Sequence, residues 1–62
     1  MKYRELHRII RKNGWIVLPR KGKGSHVRYM KDGVICTVPY HGGKEIDNDF
    51  ARRMLKEMGI VL

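Results

Sequence analysis

Cysteine is nearly absent from this 62-residue chain. Cys36 stands alone, so no disulfide forms within it, and a lone thiol suits a reducing compartment. It lies in the apolar run Val34, Ile35, Cys36, Thr37, Val38, where a free cysteine acts as a small buried hydrophobe. No neighbour in that run would lower its pKa toward a reactive thiolate. Long apolar runs are missing too. Nothing approaches the roughly 20 apolar residues that span a bilayer, and the opening MKYRELHRII scatters charge among its apolar positions, unlike a signal peptide. These absences lead us to expect a soluble, cytoplasmic protein without membrane contact. Metal-ligand spacing is also lacking. His7, His26 and His41 are the only imidazoles, and none pairs at the close spacing of zinc sites. No metal or other cofactor is expected.

Acidic residues are scarce. Six Asp and Glu against fourteen Lys and Arg give a formal net charge of +8, which implies a polyanionic partner attracted through phosphates or an acidic surface. A merely solvated surface explains a moderate excess of one sign, but poorly explains one of this size. Arg20, Lys21, Lys23, Arg28 and Lys31 occur with no acid before Asp32, whereas Glu45, Asp47, Asp49 and Glu57 fall in the last third. The length permits a single domain, residues 1–62. A chain this short buries only about 60% of its unfolded surface, so its stability must be modest.

What is present is well-marked periodicity. In YRELHRIIRKN, residues 3–13, Tyr3, Leu6, Ile9 and Ile10 form one helical stripe. Arg4, Arg8, Arg11 and Lys12 fill the other face, His7 reads as surface or boundary, and Gly14 makes a natural stop. WIVL, residues 15–18, predicts a strand closed by Pro19, with Trp15 packing across helix and sheet. PRKGKG, residues 19–24, is a basic loop. SHVRYMK, residues 25–31, alternates, with Val27 and Tyr29 facing the core and His26 and Arg28 facing away. Asp32-Gly33 predicts a hairpin turn into a strand at 34–38, ended by Pro39. After the loop YHGGK, residues 40–44, Ala51, Met54, Leu55 and Met58 mark a second helix. Asp47 is its N-cap, Ile46 staples onto Ala51, Asp49 complements the dipole, and Gly59 ends the helix. The expected fold class is α+β: an α-β-β-β-α two-layer sandwich, a three-stranded antiparallel sheet packed on two helices with its other face open.

His26 follows the loop of cations directly. Lys, Arg and Gly in such a loop hold phosphates through side chains and backbone N–H groups, and in a pure binding module His26 would donate one more hydrogen bond. RNA hydrolysis is the sharper alternative. Its 2′-hydroxyl is an internal nucleophile, so a protein need only move protons and stabilise phosphate charge. An imidazole suits that proton transfer at cytosolic pH. Surrounding cations disfavour the imidazolium, keeping a free base available, and also stabilise the charge that grows in the transition state. Tyr40 is the aromatic best placed for exposed base stacking, whereas Tyr29 and Trp15 read as core.

The stretches GW (14–15), GSHVRY (24–29), TVPYHGGKEI (37–46) and RRMLKEMGI (52–60) together resemble the HicA toxins, small ribosome-independent mRNA interferases of toxin–antitoxin pairs. The resemblance spans nearly the whole chain. It implies a double-stranded-RNA-binding-domain-like fold, cleavage of mRNA through the histidine of Gly24-Ser25-His26, and neutralisation by a HicB-type antitoxin that covers the site. Many members carry an arginine five residues before that histidine, where this chain has Lys21 beside Arg20. His41 matches a second family histidine. It is read first as a structural loop residue, with an auxiliary role at the scissile phosphate as the alternative. The sequence therefore points to a metal-independent endoribonuclease with His26 as general base or acid. Arg20, Lys21, Lys23, Gly24, Ser25 and Arg28 would bind RNA. The competing reading is a non-catalytic double-stranded-RNA-binding module. Shortness counts against that reading, because two separated minor-groove contacts need a broad platform.

Overall fold

A computed structural model describes residues 1–19 and 25–61. Arg20, Lys21, Lys23 and Gly24, to which the sequence assigns phosphate contacts, lie outside them. Helix α1 spans Tyr3–Lys12 and buries Leu6, His7 and Ile10. His7 is 1% exposed, so its expected place at the surface or boundary is wrong. The residue is four positions after Tyr3 and three before Ile10, which puts it in the middle of the apolar stripe. The helix stops at Gly14 (φ +90°), whose N–H donates to the Arg11 carbonyl at 3.1 Å. The Lys31 ammonium donates to the carbonyl of Asn13 at 2.7 Å.

Lys2, the N-cap of α1, makes no side-chain capping bond. The helix borrows its acceptors from the far end of the chain instead. The N–H groups of Tyr3 and Arg4 donate to the carbonyls of Lys44 and Gly42, each at 3.1 Å. Lys2 also bridges to Glu45. Two of the first-turn donors that every helix leaves unpaired are thus satisfied by the HGGKEI segment.

Strand β1 is short, Ile16–Val17, because Trp15 leaves the expected strand to enter the core, where it is 6% exposed. Strands β2, His26–Lys31, and β3, Val34–Pro39, form the expected hairpin. Asp32 and Gly33 both take positive φ, 51° and 79°, as a tight two-residue connection requires. The sheet order is β1-β2-β3, antiparallel throughout. Helix α2 spans Asn48–Glu57, and the Asp47 carboxylate accepts from the Phe50 N–H at 2.9 Å. Leu6 and Ile10 of α1, Tyr29 and Val38 of the sheet, and Ala51 and Leu55 of α2 belong to one buried cluster with Trp15, Ile46, Met58 and Ile60. Cys36 is only partly buried and packs at the edge of this cluster. The architecture is the expected α-β-β-β-α sandwich, both helices on one face of the sheet.

Candidate nucleic-acid interface and active site

Strand alternation builds the open face. Tyr29 is fully buried, so its neighbours in β2 at odd spacing point the other way. His26 is exposed at the first position of β2, and Arg28, half-buried, shares its side of the strand. Residues opposite each other in an antiparallel pair share a face. The register sets His26 across from Pro39, Arg28 across from Thr37, and Met30 between Ile16 and Ile35. The open face is therefore polar and cationic at the His26 end. At the hairpin end it is apolar, where Ile16 and Ile35 are more than half exposed. Ser25 is half-buried, and its carbonyl accepts from the Tyr40 N–H, extending the β2–β3 pairing one step past Pro39. In the sequence, Arg20 to Gly24 directly precede Ser25 and His26.

Beneath that end of the sheet lies a polar network that the sequence reading missed. His7 Nε2 is 2.8 Å from the carbonyl oxygen of Pro39, and Nδ1 is 2.5 Å from the hydroxyl of Tyr29. A carbonyl only accepts, so Nε2 carries the proton. In a neutral ring Nδ1 then accepts from the Tyr29 hydroxyl. Burial lowers the His7 pKa below its usual 6.5, opposed by the Pro39 bond and aided by the positive Arg11, which keeps the ring neutral. Burial also raises the Tyr29 pKa, while the Arg11 guanidinium beside the phenol pulls it the other way. The Tyr40 ring meets His7 edge-on, 4.9 Å between centroids. Tyr40 is thus half-buried against the network, so only part of its ring meets solvent. Through Pro39, this network holds the β3 residue that faces His26.

His41 sits elsewhere. It is exposed, and its ring packs edge-on against Tyr3 of α1 at 4.9 Å and 88°, while its carbonyl accepts from the Lys44 N–H at 3.2 Å. Its ring thus rests on the helix layer, whereas His26 lies on the open face. The GG pair after it has its own geometry. Gly42 takes φ +60°, and a Cβ on Gly43 would fall 2.8 Å from the guanidinium of Arg4, so Arg4 lies across bare backbone. A cleft of about 220 Å3 opens beside it, between α1 and the helix-covered side of β1 and β2, with Arg4, His7 and Arg11 on one wall. The sequence showed these arginines only as the polar face of a helix. Their nearness to Tyr29 and Tyr40 depends on tertiary packing, and the one available signal was a histidine inside an apolar stripe. Among the described residues, no group of three His, Cys, Asp or Glu side chains is arranged to hold a metal ion, and no helix is long and apolar enough to cross a membrane.

Comparison with known proteins identifies the family. The family model described as the HicA toxin of bacterial toxin–antitoxin matches residues 3–60. The chain is also 33% identical over 60 residues to a probable mRNA interferase HicA of Pseudomonas fluorescens (strain Pf0-1), with 97% of each chain covered. No solved structure matches significantly.

Proposed function

The chain belongs to the HicA toxin family, and from that premise we propose that it is an endoribonuclease that cleaves mRNA, with His26 as general base or acid. The observation that carries the proposal is an exposed histidine at the start of β2, on the same open face as Arg28 and directly after the basic segment. An imidazole there reaches substrate without unpacking the core. As base, His26 takes the proton of the 2′-hydroxyl while O2′ bonds to phosphorus and the P–O5′ bond breaks. As acid, it returns a proton to the departing O5′. The products are a 2′,3′-cyclic phosphate and a 5′-hydroxyl. Arg28, with Arg20, Lys21, Lys23, Gly24 and Ser25, binds the phosphates and offsets the charge on the pentacoordinate phosphorus. The nucleophile is internal to the RNA, so the step needs no metal ion.

A HicB-type antitoxin is the proposed protein partner, in the cytoplasm. The apolar row Ile16, Met30 and Ile35, at the hairpin end of the same open face, gives such a partner a hydrophobic footing on the face it would cover. His26→Ala tests the reading. Its stability should stay within about 0.5 kcal/mol of wild type, as for other surface substitutions. Cleavage should fall by about 10²–10⁴-fold. Wild-type cleavage should persist in EDTA and stop on RNA carrying 2′-deoxyribose at the scissile nucleotide. An Ala variant that cuts at the wild-type rate would remove His26 from the chemistry, and a wild-type protein that binds RNA without cutting it would leave only the binding-module reading.

A further inference from the structure

The cleft between α1 and the sheet lies on the side away from His26's open face, and the proposed reaction does not use it. Its volume of about 220 Å3 is below the roughly 300–1,000 Å3 of drug-sized sites. It admits one small planar group with its substituents. Arg4 and Arg11 stand two turns apart on α1, about 10 Å along the axis, and among the described residues no carboxylate lines the cleft. Both arginine residues are exposed and both line the cleft. Val17 and Val27 supply apolar wall, and the Tyr40 ring supplies an aromatic one.

Two further features make this more than a gap under a helix. The floor is fixed and uncharged: the neutral His7 ring is bonded to the Pro39 carbonyl and the Tyr29 hydroxyl. The Arg11 guanidinium lies beside the phenol oxygen. The rim is shaped by the HGG stretch. Arg4 is tied by its N–H to the Gly42 carbonyl, and its guanidinium lies over Gly43, where any side chain would displace it. An anion with a flat, partly polar body matches this set of groups.

We propose that this cleft is a binding site for a single nucleotide of RNA, its phosphate held by Arg4 and Arg11 and its base seated against Tyr40, Val17 and Val27. The choice of RNA rests on the endonuclease reading; the nucleotide-shaped site rests on the cleft alone. It would hold a nucleotide outside the scissile position and so add to affinity and sequence preference.

The test uses the full chain, with adenosine 5′-monophosphate as probe and adenosine, inorganic phosphate and a glutamate hexapeptide as separate arms. Titration followed by amide NMR should shift Arg4, Arg11, Tyr29 and Tyr40. Adenosine and phosphate alone should each bind at least about tenfold more weakly, since each forfeits one half of the site. Arg4→Gln with Arg11→Gln should weaken nucleotide binding at least about tenfold. Arg52→Gln with Arg53→Gln, the same charge removed from α2, should change it by less than about twofold if diffuse charge contributes little. Gly43→Ala should weaken it without lowering Tm, because only the flexible end of Arg4 must move. Shifts that map elsewhere, equal losses in the two double variants, or phosphate binding as tightly as the nucleotide would overturn the proposal. Tighter binding of the hexapeptide would do so too, in favour of an acidic protein partner. The mapping on wild type needs no variant to fold. If RNA is not cleaved and the nucleotide still binds as described, the endonuclease reading falls and the cleft stands.

Discussion

His7 illustrates how one buried side chain joins folding to pH. Its bond to the Pro39 carbonyl puts a proton on Nε2, and burial holds its pKa below 6.5, which favours the neutral ring. The unfolded chain therefore takes up a proton that the folded chain refuses. Stability from this residue is complete above the unfolded value and is lost as pH falls from about 6.5 toward the lower folded value. The midpoint of thermal unfolding should accordingly decline over that window. His7→Gln keeps a hydrogen-bonding side chain but does not titrate. It should flatten the decline while costing about 1–3 kcal/mol for imperfectly satisfied buried groups. A decline of unchanged slope in the Gln variant would assign the pH dependence to another group. At this scale the sequence was only partly legible. Alternation in SHVRYMK correctly put Tyr29 inside and His26 outside, because strand periodicity is strict. The polar type of His7 hid its burial, because its partners Tyr29 and Pro39 are 22 and 32 residues away.

At the level of elements, the two helices are capped by different means. Asp47 caps α2 through its own carboxylate, a local signal written within four residues. Asp47→Ala should therefore cost about 0.5–2 kcal/mol. Each kcal/mol corresponds to a drop in Tm of roughly 4–8 °C in a domain this small. Circular dichroism melts check it, and an unchanged midpoint would mean that α2 draws its stability from packing alone. Helix α1 has no such local cap, since carbonyls of Gly42 and Lys44 serve Tyr3 and Arg4 across some 40 residues of chain. Periodicity located α1 but could not reveal this arrangement. The same distance explains the HGG stretch. In sequence it reads as a flexible loop beside a candidate auxiliary histidine. In the fold it caps α1, seats His41 on Tyr3, and leaves bare backbone under Arg4. The short β1 has a comparable origin, because burial of the large Trp15 ring outweighs its strand propensity.

The whole molecule is dominated by its +8 charge, and that charge is distributed over both of its layers. Arg28 lies on the open sheet face, whereas Arg4, Arg8 and Arg11 lie on α1. Order and pairing of the elements were legible because each connection is short or strongly marked. The way charge divides between two surfaces was not, because it depends on how α1 lies against the sheet. The division has a measurable consequence. Binding of single-stranded RNA releases about 0.7 counterion for each phosphate neutralised, so affinity should fall linearly in log salt. With the His26→Ala protein, which keeps the RNA intact, the slope counts phosphates engaged on all surfaces together. If only the open face binds, Arg4→Gln with Arg11→Gln should leave the slope unchanged. If RNA also enters the cleft behind α1, the same variant should reduce the slope by up to about 0.7, the one phosphate that Arg4 and Arg11 share. Arg28→Gln should reduce it by about 0.7 in either case. A response flat in salt would remove phosphate contact, and with it the polyanionic partner, from this account.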